Sequence, residues 1–522
     1  MKASLRQTMS TLHTWTGLLP GWLLFVIFLF GTVAFFQQEI SQWMRPELTP
    51  APVSDKAIDA ADTILRKEGA GADDWTLSLP GSRGGEGFSI GWTPAGGDRS
   101  SQQERTLDAT SGALTSVRDT RGGFFLYRMH FDLHYMPVMW ARLLVSLAAL
   151  AMLVAILSGV VTHKKIFTDF FLLRFGKGQR SWLDAHNVTA VLALPFYLMI
   201  TYTGLVTLLF TLMPWAISAN FPSTDAYYEA AFPSGPKSEP SETKAALRPI
   251  PELLQRARTL RPGFEPSYVS ISHPGNAAAI VRIWPRTETL GGHQPMLYLN
   301  GATGEPLAGP REGGAATATK GVMIDLHAGR YANPALRWLY FLSGVGGTIM
   351  VGSGLVLWTV KRRAKLPDPA RPHFGFRLVE RLNIGVIAGA SAGIAVYFLA
   401  NRLLDPTMVG RADWEVNALF IAWGAIFIWS LGRPARQAWV ETLAACALLY
   451  AAIPLVNAAT TPRGLPASVM AGDAIFILFD LMMILTATGF AFAARKVATH
   501  QSKAKARSRT RQPKQDFQEV PA

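Results

Sequence analysis

The sequence predicts an all-α polytopic membrane protein of about eight transmembrane helices, with two small α+β lobes on one side of the bilayer and an internal parallel repeat in the first four helices. Three observations carry that prediction. The 522-residue chain is 49% hydrophobic yet only 16% charged, where a soluble chain would carry about 25% charged residues. Eight long stretches are nearly free of Asp, Glu, Lys and Arg, and Lys/Arg clusters recur between alternate stretches. With charge this sparse and with Phe 29, Trp 15 and Tyr 12, the net charge of +14 marks membrane orientation and gives no reason to expect a nucleic-acid partner. One cysteine, Cys446, excludes an intramolecular disulfide, a multi-cysteine zinc site, a cysteine-ligated iron–sulfur cluster and covalent c-type haem attachment.

A spanning helix needs about 20 apolar residues. The charge-free stretches enclosed by Arg6–Glu39, Arg142–Lys164, Asp184–Asp225 and Arg337–Lys361 hold 32, 21, 40 and 23 residues. Those enclosed by Arg381–Arg402, Glu415–Arg433 and Glu441–Arg463 hold 20, 17 and 21, and the last, Asp473–Arg495, is interrupted only by Asp480. The first stretch reads as a retained helix, since it is long and Phe35-Phe36-Gln37-Gln38-Glu39 offers no small-residue cleavage site. The expected division is helix 1 in 1–44, a lobe in 45–133, helices 2 and 3 in 134–216, and a second lobe in 217–326. Helix 4 follows in 327–363, then an additional four-helix block in 364–495 and a basic tail in 496–522. Lys164, Lys165, Arg174, Lys177 and Arg180, the run Lys361-Arg362-Arg363-Ala364-Lys365, Arg433 with Arg436, and the tail all fall on one face if both termini are cytoplasmic. Short β-prone runs at 75–79, 88–92, 279–284 and 296–299 place strands in both lobes.

The first half reads as duplicated. His13 to Gly31 and His186 to Gly204 are both 18 residues; Arg142 to Gly159 and Arg337 to Gly354 are both 17. Leu107-Asp108-Ala109-Thr110-Ser111-Gly112 echoes Leu299-Asn300-Gly301-Ala302-Thr303-Gly304, and Asp132-Leu133-His134 echoes Asp325-Leu326-His327. Units of one membrane orientation imply a pseudo-twofold axis along the membrane normal.

Five histidines sit at ends of the first four helices: His13, His163 and His186 at the cytoplasmic ends, His134 and His327 at the periplasmic ends, with His130 one turn before His134. Ionisable groups at such depth are functional candidates. A single one reads best as an interfacial anchor, but five in two layers suit axial ligation of two b-type haems, each needing two imidazoles from facing helices. The repeat pairs His134 with His327, leaving His130 as substitute ligand, a group behind the ligand, or a substrate contact. On the inner side His13 with His186 follows from the repeat, while the short loop also permits His163 with His186. His134 and His163 are 29 residues apart, about 43 Å of helix. In the additional block, Gly385, Gly389 and Gly393 form a helix-association ridge, and Asp480 reads either as a proton, quinone or ion contact or as a hydrogen bond to a neighbouring helix. His273 and His293 could touch substrate from the second lobe; His373 reads as solvated.

The runs Leu12-His13-Thr14-Trp15-Thr16-Gly17-Leu18, Gly159-Val160-Val161-Thr162-His163-Lys164-Lys165-Ile166-Phe167, Trp182-Leu183-Asp184-Ala185-His186-Asn187 and Arg337-Trp338-Leu339-Tyr340-Phe341 resemble the PepSY-associated transmembrane proteins. The resemblance covers residues 1–363, and the lobes' closing turns are similar to those of PepSY lobes. It implies a bacterial inner-membrane protein carrying two b haems that reduces ferric siderophores or other ferric chelates in the periplasm. No Gly-x-Gly-x-x-Gly opens a helix after a strand, so electrons are expected from a cytoplasmic reductase or a quinol. Two other functions remain open: a PepSY membrane protein that binds or regulates a periplasmic peptidase, and an iron or siderophore transporter. Against the transporter, the repeats read as parallel and no span shows a clear break at midplane.

Overall fold

A computed structural model of the chain describes residues 4–500 except 82, 84, 164–167, 169–172, 175, 234, 240, 287–289, 291–294 and 311–313. Lys164 and Lys165, His293, and the tail beyond residue 500 lie outside the described residues. In chain order the helices of the first half are α1 (Leu5–Leu18), α2 (Gly21–Ala34), α3 (Gln37–Trp43), α4 (Asp55–Glu68), α5 (Gly122–Asp132), α6 (Val138–Thr162), α7 (Gln179–Leu192) and α8 (Leu194–Thr207). Three short helices follow, α9 (Leu209–Leu212), α10 (Trp215–Ser218) and α11 (Thr224–Ala231), then α12 (Ile250–Leu260), α13 (Ala315–Ala328) and α14 (Pro334–Arg363). The second half holds α15 (Phe374–Leu403), α16 (Arg411–Leu431), α17 (Ala435–Thr460), α18 (Leu465–Ala471) and α19 (Ala474–Thr499).

Six of these, α6, α14, α15, α16, α17 and α19, are long and apolar enough to cross a membrane, and there are up to eight crossings if α1 with α2 and α7 with α8 each make one. The two composite spans are bent by 62° and 69°, which corrects the expectation of unbroken helices. Proline is the physical reason: Pro20 stands at the N-cap of α2 and Pro195 in the first turn of α8. Each lacks an N–H, and its ring obstructs the preceding turn. Charge-free length, the signal that located the spans, is blind to such breaks.

The segments between α3 and α5 and between α11 and α13 build a single antiparallel sheet of six strands, ordered β3-β2-β1-β4-β5-β6. Its strands are β1 (Asp74–Ser78), β2 (Phe88–Thr93), β3 (Gln103–Leu107), β4 (Pro266–Ser272), β5 (Ile280–Pro285) and β6 (Leu297–Asn300). β1 and β4 pair at the centre, Trp75 opposite Ile271 and Leu77 opposite Val269, so the order is symmetric about that pair. Two separate three-stranded sheets would expose four strand edges; pairing β1 with β4 removes two of them and leaves β3 and β6 at the edges. α4 and α12 supply Ile58, Leu65, Leu253 and Leu254 to the core that the sheet fills with Trp75, Ile90, Val269 and Ile283. The two closing turns are built alike. Asp108 Oδ1 accepts from Ser111 N at 2.7 Å and Asn300 Oδ1 from Thr303 N at 2.9 Å, and Gly112 and Gly304 take φ of +72° and +73°, which glycine adopts without strain. The Ser111 backbone and hydroxyl hydrogen bonds hold the Asp108 carboxyl below its usual range.

In the second half α15 is the interior helix: 78% of its apolar window is buried, against 22% for α16 and α19. Its glycine ridge meets large side chains of α16 at the same four-residue spacing. A Cβ on Gly385 or Gly389 would collide with the ring of Phe427 or Trp423, and one on Gly393 with the Leu419 carbonyl and side chain. Asp480 is buried and accepts from Trp43 Nε1 at 3.2 Å and Asn457 Nδ2 at 3.1 Å, the hydrogen bond to neighbouring helices named above. His373 caps α15, its ring accepting from Phe376 N.

Candidate functional site: two histidine pairs

Four of the six candidate histidines come together as two pairs. His13 on α1 faces His186 on α7 with ring centroids 6.2 Å apart. His130 on α5 faces His327 on α13 at 6.1 Å. The second pair stands on helices that run directly out of the sheet halves; the first stands on α1 and α7, before the two breaks.

Each ring is held the same way. Nδ1 reaches a backbone carbonyl: His13 to Ala155 at 2.8 Å, His186 to Met350 at 2.9 Å, His130 to Ile27 at 2.7 Å and His327 to Ile200 at 3.0 Å. In all four cases the residue four positions after that carbonyl is a glycine, namely Gly159, Gly354, Gly31 and Gly204. In a helix that glycine's own N–H bonds to the same carbonyl. Having no side chain, it leaves the carbonyl's second lone pair open to the imidazole. The fit is close: a Cβ on these glycines would lie 3.1, 3.1, 2.6 and 2.9 Å from the respective rings. A carbonyl only accepts, so Nδ1 carries a proton in every ring, and in the neutral imidazole Nε2 is then the nitrogen with the free lone pair. That is the arrangement by which metal-ligating histidines are oriented.

The spacing fits one metal atom per pair. The ring centroids, 6.2 and 6.1 Å apart, leave room for a metal atom between the two imidazoles of each pair. Among the described residues no group of three or more His, Cys, Asp or Glu side chains could hold a bare ion, so the donor set matches a metal whose other ligands arrive with it. A haem iron asks for two axial nitrogens; the residues present fit it.

The geometry replaces His134, the expected partner of His327, by His130. The reason is a corner in the chain. Helix α5 ends at Asp132, and Leu133 and Tyr135 take φ of 44° and 65°, values that cost bulky residues about 1–3 kcal/mol each. Asp132 secures the corner through ion pairs to Arg128 and to Arg142 Nε, the latter at 2.8 Å. His134 therefore leaves the face it would share with His130 in a continuous helix. It stacks on Phe420 at 5.8 Å and meets Phe125 edge-on at 5.5 Å; the residue stays largely exposed, and partial desolvation, with Arg121 nearby, lowers its pKa. His163 caps α6, and its Nε2 accepts from Asn187 Nδ2 at 3.0 Å; the ring opposite His186 is that of His13. His273 lies in a left-handed turn after β4, its N–H bonded to Asp73 O.

The repeated spacings now have a structural content. The α1–α2 unit gives one ligand-type histidine, His13, and one glycine seat, Gly31, to different pairs; α7–α8 does the same with His186 and Gly204. The chain through α5 and α6 gives His130 and Gly159, and that through α13 and α14 gives His327 and Gly354. The carbonyl acceptors are not readable as such; their signal is the repeated spacing of the four glycines, 18 residues after His13 and His186 and 17 after Arg142 and Arg337.

A bundle of six to eight apolar spans under a six-stranded sheet defines a multi-pass membrane protein. The chain belongs to the PepSY-associated TM region family, whose model matches residues 10–361. That stretch contains both histidine pairs and all four glycine seats, and ends before the α15–α19 block. The chain is also similar to an uncharacterized protein of Pseudomonas aeruginosa, 29% identical over an alignment of 309 residues that covers 56% of this chain and 76% of that protein.

Proposed function

We propose that this chain is a bacterial inner-membrane di-haem b protein that moves electrons across the bilayer and reduces a ferric siderophore or other ferric chelate in the periplasm during iron acquisition. The observation that carries the reading is the fourfold recurrence of one ligand arrangement: imidazole, backbone carbonyl, glycine four residues on. His13 with His186 would hold the inner haem and His130 with His327 the outer one; the group supplies one-electron redox chemistry. The protein's part is to fix each ring through Nδ1, to keep Nε2 unprotonated, and to seat the ring against a glycine. The lobes read as PepSY-like, the first four spans as a parallel repeat, and the basic loops set both termini in the cytoplasm, where a reductase or, from the membrane, a quinol supplies electrons.

The test is a pyridine haemochrome assay on the purified chain, with haem supplied during expression. Two haems per chain are expected, reducible by dithionite and reoxidised by a ferric hydroxamate. A preparation without a reducible Soret band would sink the reading. The breaks in two spans favour a second reading, a siderophore or iron transporter, because discontinuous helices line transport sites. Uptake of the chelate into proteoliposomes with no reductant present would support it.

The seats give a sharper prediction. Gly31→Leu drives a side chain into the His130 ring and off the Ile27 carbonyl. Loss of such a supporting bond lowers metal affinity by about 10–100-fold. Haem titration of Gly31→Leu should show one site weakened by that factor and the other unchanged; Gly159→Leu should weaken the opposite site.

A further inference from the structure

Tyr197 stands between the two histidine pairs. It is 1% exposed. Its ring meets Phe28 edge-on at 6.1 Å, and both rings lie against the glycines of α14. A Cβ on Gly346 would come within 2.8 Å of the Tyr197 hydroxyl, and one on Gly347 within 2.5 Å of the Phe28 ring. On the outer side both aromatics adjoin the histidine seats. Phe28 follows Ile27, whose carbonyl holds His130, and Ile200, whose carbonyl holds His327, lies one helical turn beyond Tyr197. On the inner side the Tyr197 hydroxyl donates to Thr189 O at 3.0 Å, and Thr189 Oγ1 donates to His186 O at 3.2 Å. The bend between α7 and α8 permits that reach. Ala193 N bonds to Val191 O and leaves the Thr189 carbonyl for the tyrosine. Along α14, Gly347 and Gly354, which face Phe28 and His186, are seven residues apart, about 10 Å of helix.

We infer that the Tyr197 ring, packed on Phe28 and fixed by its bond to Thr189, is the bridge through which electrons pass between the inner and outer pairs; this rests on the proposed reading that both pairs hold haem. With both groups bound, the electron given up by the one held at His13 and His186 would be the electron taken up by the one held at His130 and His327, so the transfer would balance without any other reactant. The tyrosine is neither oxidised nor reduced, its phenolic proton stays on Oη, and no bond forms or breaks. A packed ring hydrogen-bonded towards the inner pair and continued by its own helix and by Phe28 towards the outer pair couples donor and acceptor better than a gap filled by alkyl contacts.

The experiment uses the full haem-loaded chain in nanodiscs, without any ferric acceptor, and follows redistribution of one electron between the two haems by transient absorbance. Haem content and both midpoint potentials are measured alongside; a purely structural role would disturb these first. Tyr197→Leu should slow redistribution by an order of magnitude or more, with two haems per chain and unchanged potentials, while Tyr197→Phe should stay close to the parent. A fully loaded Tyr197→Leu that redistributes at the parental rate would overturn the inference, as would a Phe variant as slow as the Leu variant. Should Tyr197→Leu fail to accumulate or to load, Phe28→Leu removes the adjoining ring and is read by the same criteria. A parent chain that takes up no haem would sink the functional reading itself, and that outcome is distinct from a loaded chain whose rate ignores Tyr197.

Discussion

His130→Ala is expected to halve the haem bound per chain, and His134→Ala to leave it whole. Only His130 presents a ring opposite His327 with Nδ1 fixed on a helix carbonyl. His134 is exposed, beyond a left-handed corner, and its nearest rings are those of Tyr135, Phe125 and Phe420. The same contrast holds at the other pair. His13→Ala or His186→Ala should each remove one haem, whereas His163→Ala should remove none, because the His163 Nε2 is bonded to Asn187. His13→Ala combined with His130→Ala should abolish the haemochrome spectrum. Pyridine haemochrome absorbance per chain checks all of these together. A halved signal in His134→Ala with full binding in His130→Ala would reinstate the pairing that the repeat alone suggested.

How much of this was legible beforehand depended on which physical signal each feature leaves in the sequence. Spans are visible because hydrocarbon excludes charge over about 20 residues. The strands β1, β2, β5 and β6 are visible as runs rich in β-branched and aromatic residues. β3, Gln-Glu-Arg-Thr-Leu on the sheet edge, and β4, which opens with Pro266 and alternates with serine, carry no such run. The join of two lobes into one sheet is a long-range pairing that no local pattern encodes. Asp-x-His recurs at both places and so points to His134 rather than His130; the corner at Leu133 is decided by tertiary context. The glycines were conspicuous by spacing, but spacing gives a period and no partner. Only the structure ties each glycine to a carbonyl four residues earlier and to the ring that uses it.

Glu415→Gln is expected to destabilise the chain by about 3–5 kcal/mol, the cost of leaving a buried charge without its partner. Glu415 and Arg411 are paired and both 0% exposed. The carboxylate also accepts from Asn401 Nδ2 at 2.7 Å and from the Thr120 hydroxyl. The guanidinium donates to Asp119 O at 2.7 Å, while Arg118 bridges Glu47 and Asn401 O at 2.7 and 2.8 Å. This cluster joins α15 and α16 to residues 118–120, and Tyr397 Oη donates to Gly122 O at 2.9 Å, at the first residue of α5. Because α5 carries His130, the α15–α19 block buttresses one histidine of the outer pair although it contributes no ring to either. Denaturant unfolding in mild detergent measures the loss. The double change Glu415→Leu with Arg411→Met should recover most of it, since replacing both charges by apolar groups strands neither. A Glu415→Gln chain as stable as the parent would show that the pair is not charged in place. Where Glu415→Gln still folds, the loosened α5 should release haem faster from the His130–His327 pair than from His13–His186, and stopped-flow transfer to apomyoglobin resolves the two phases.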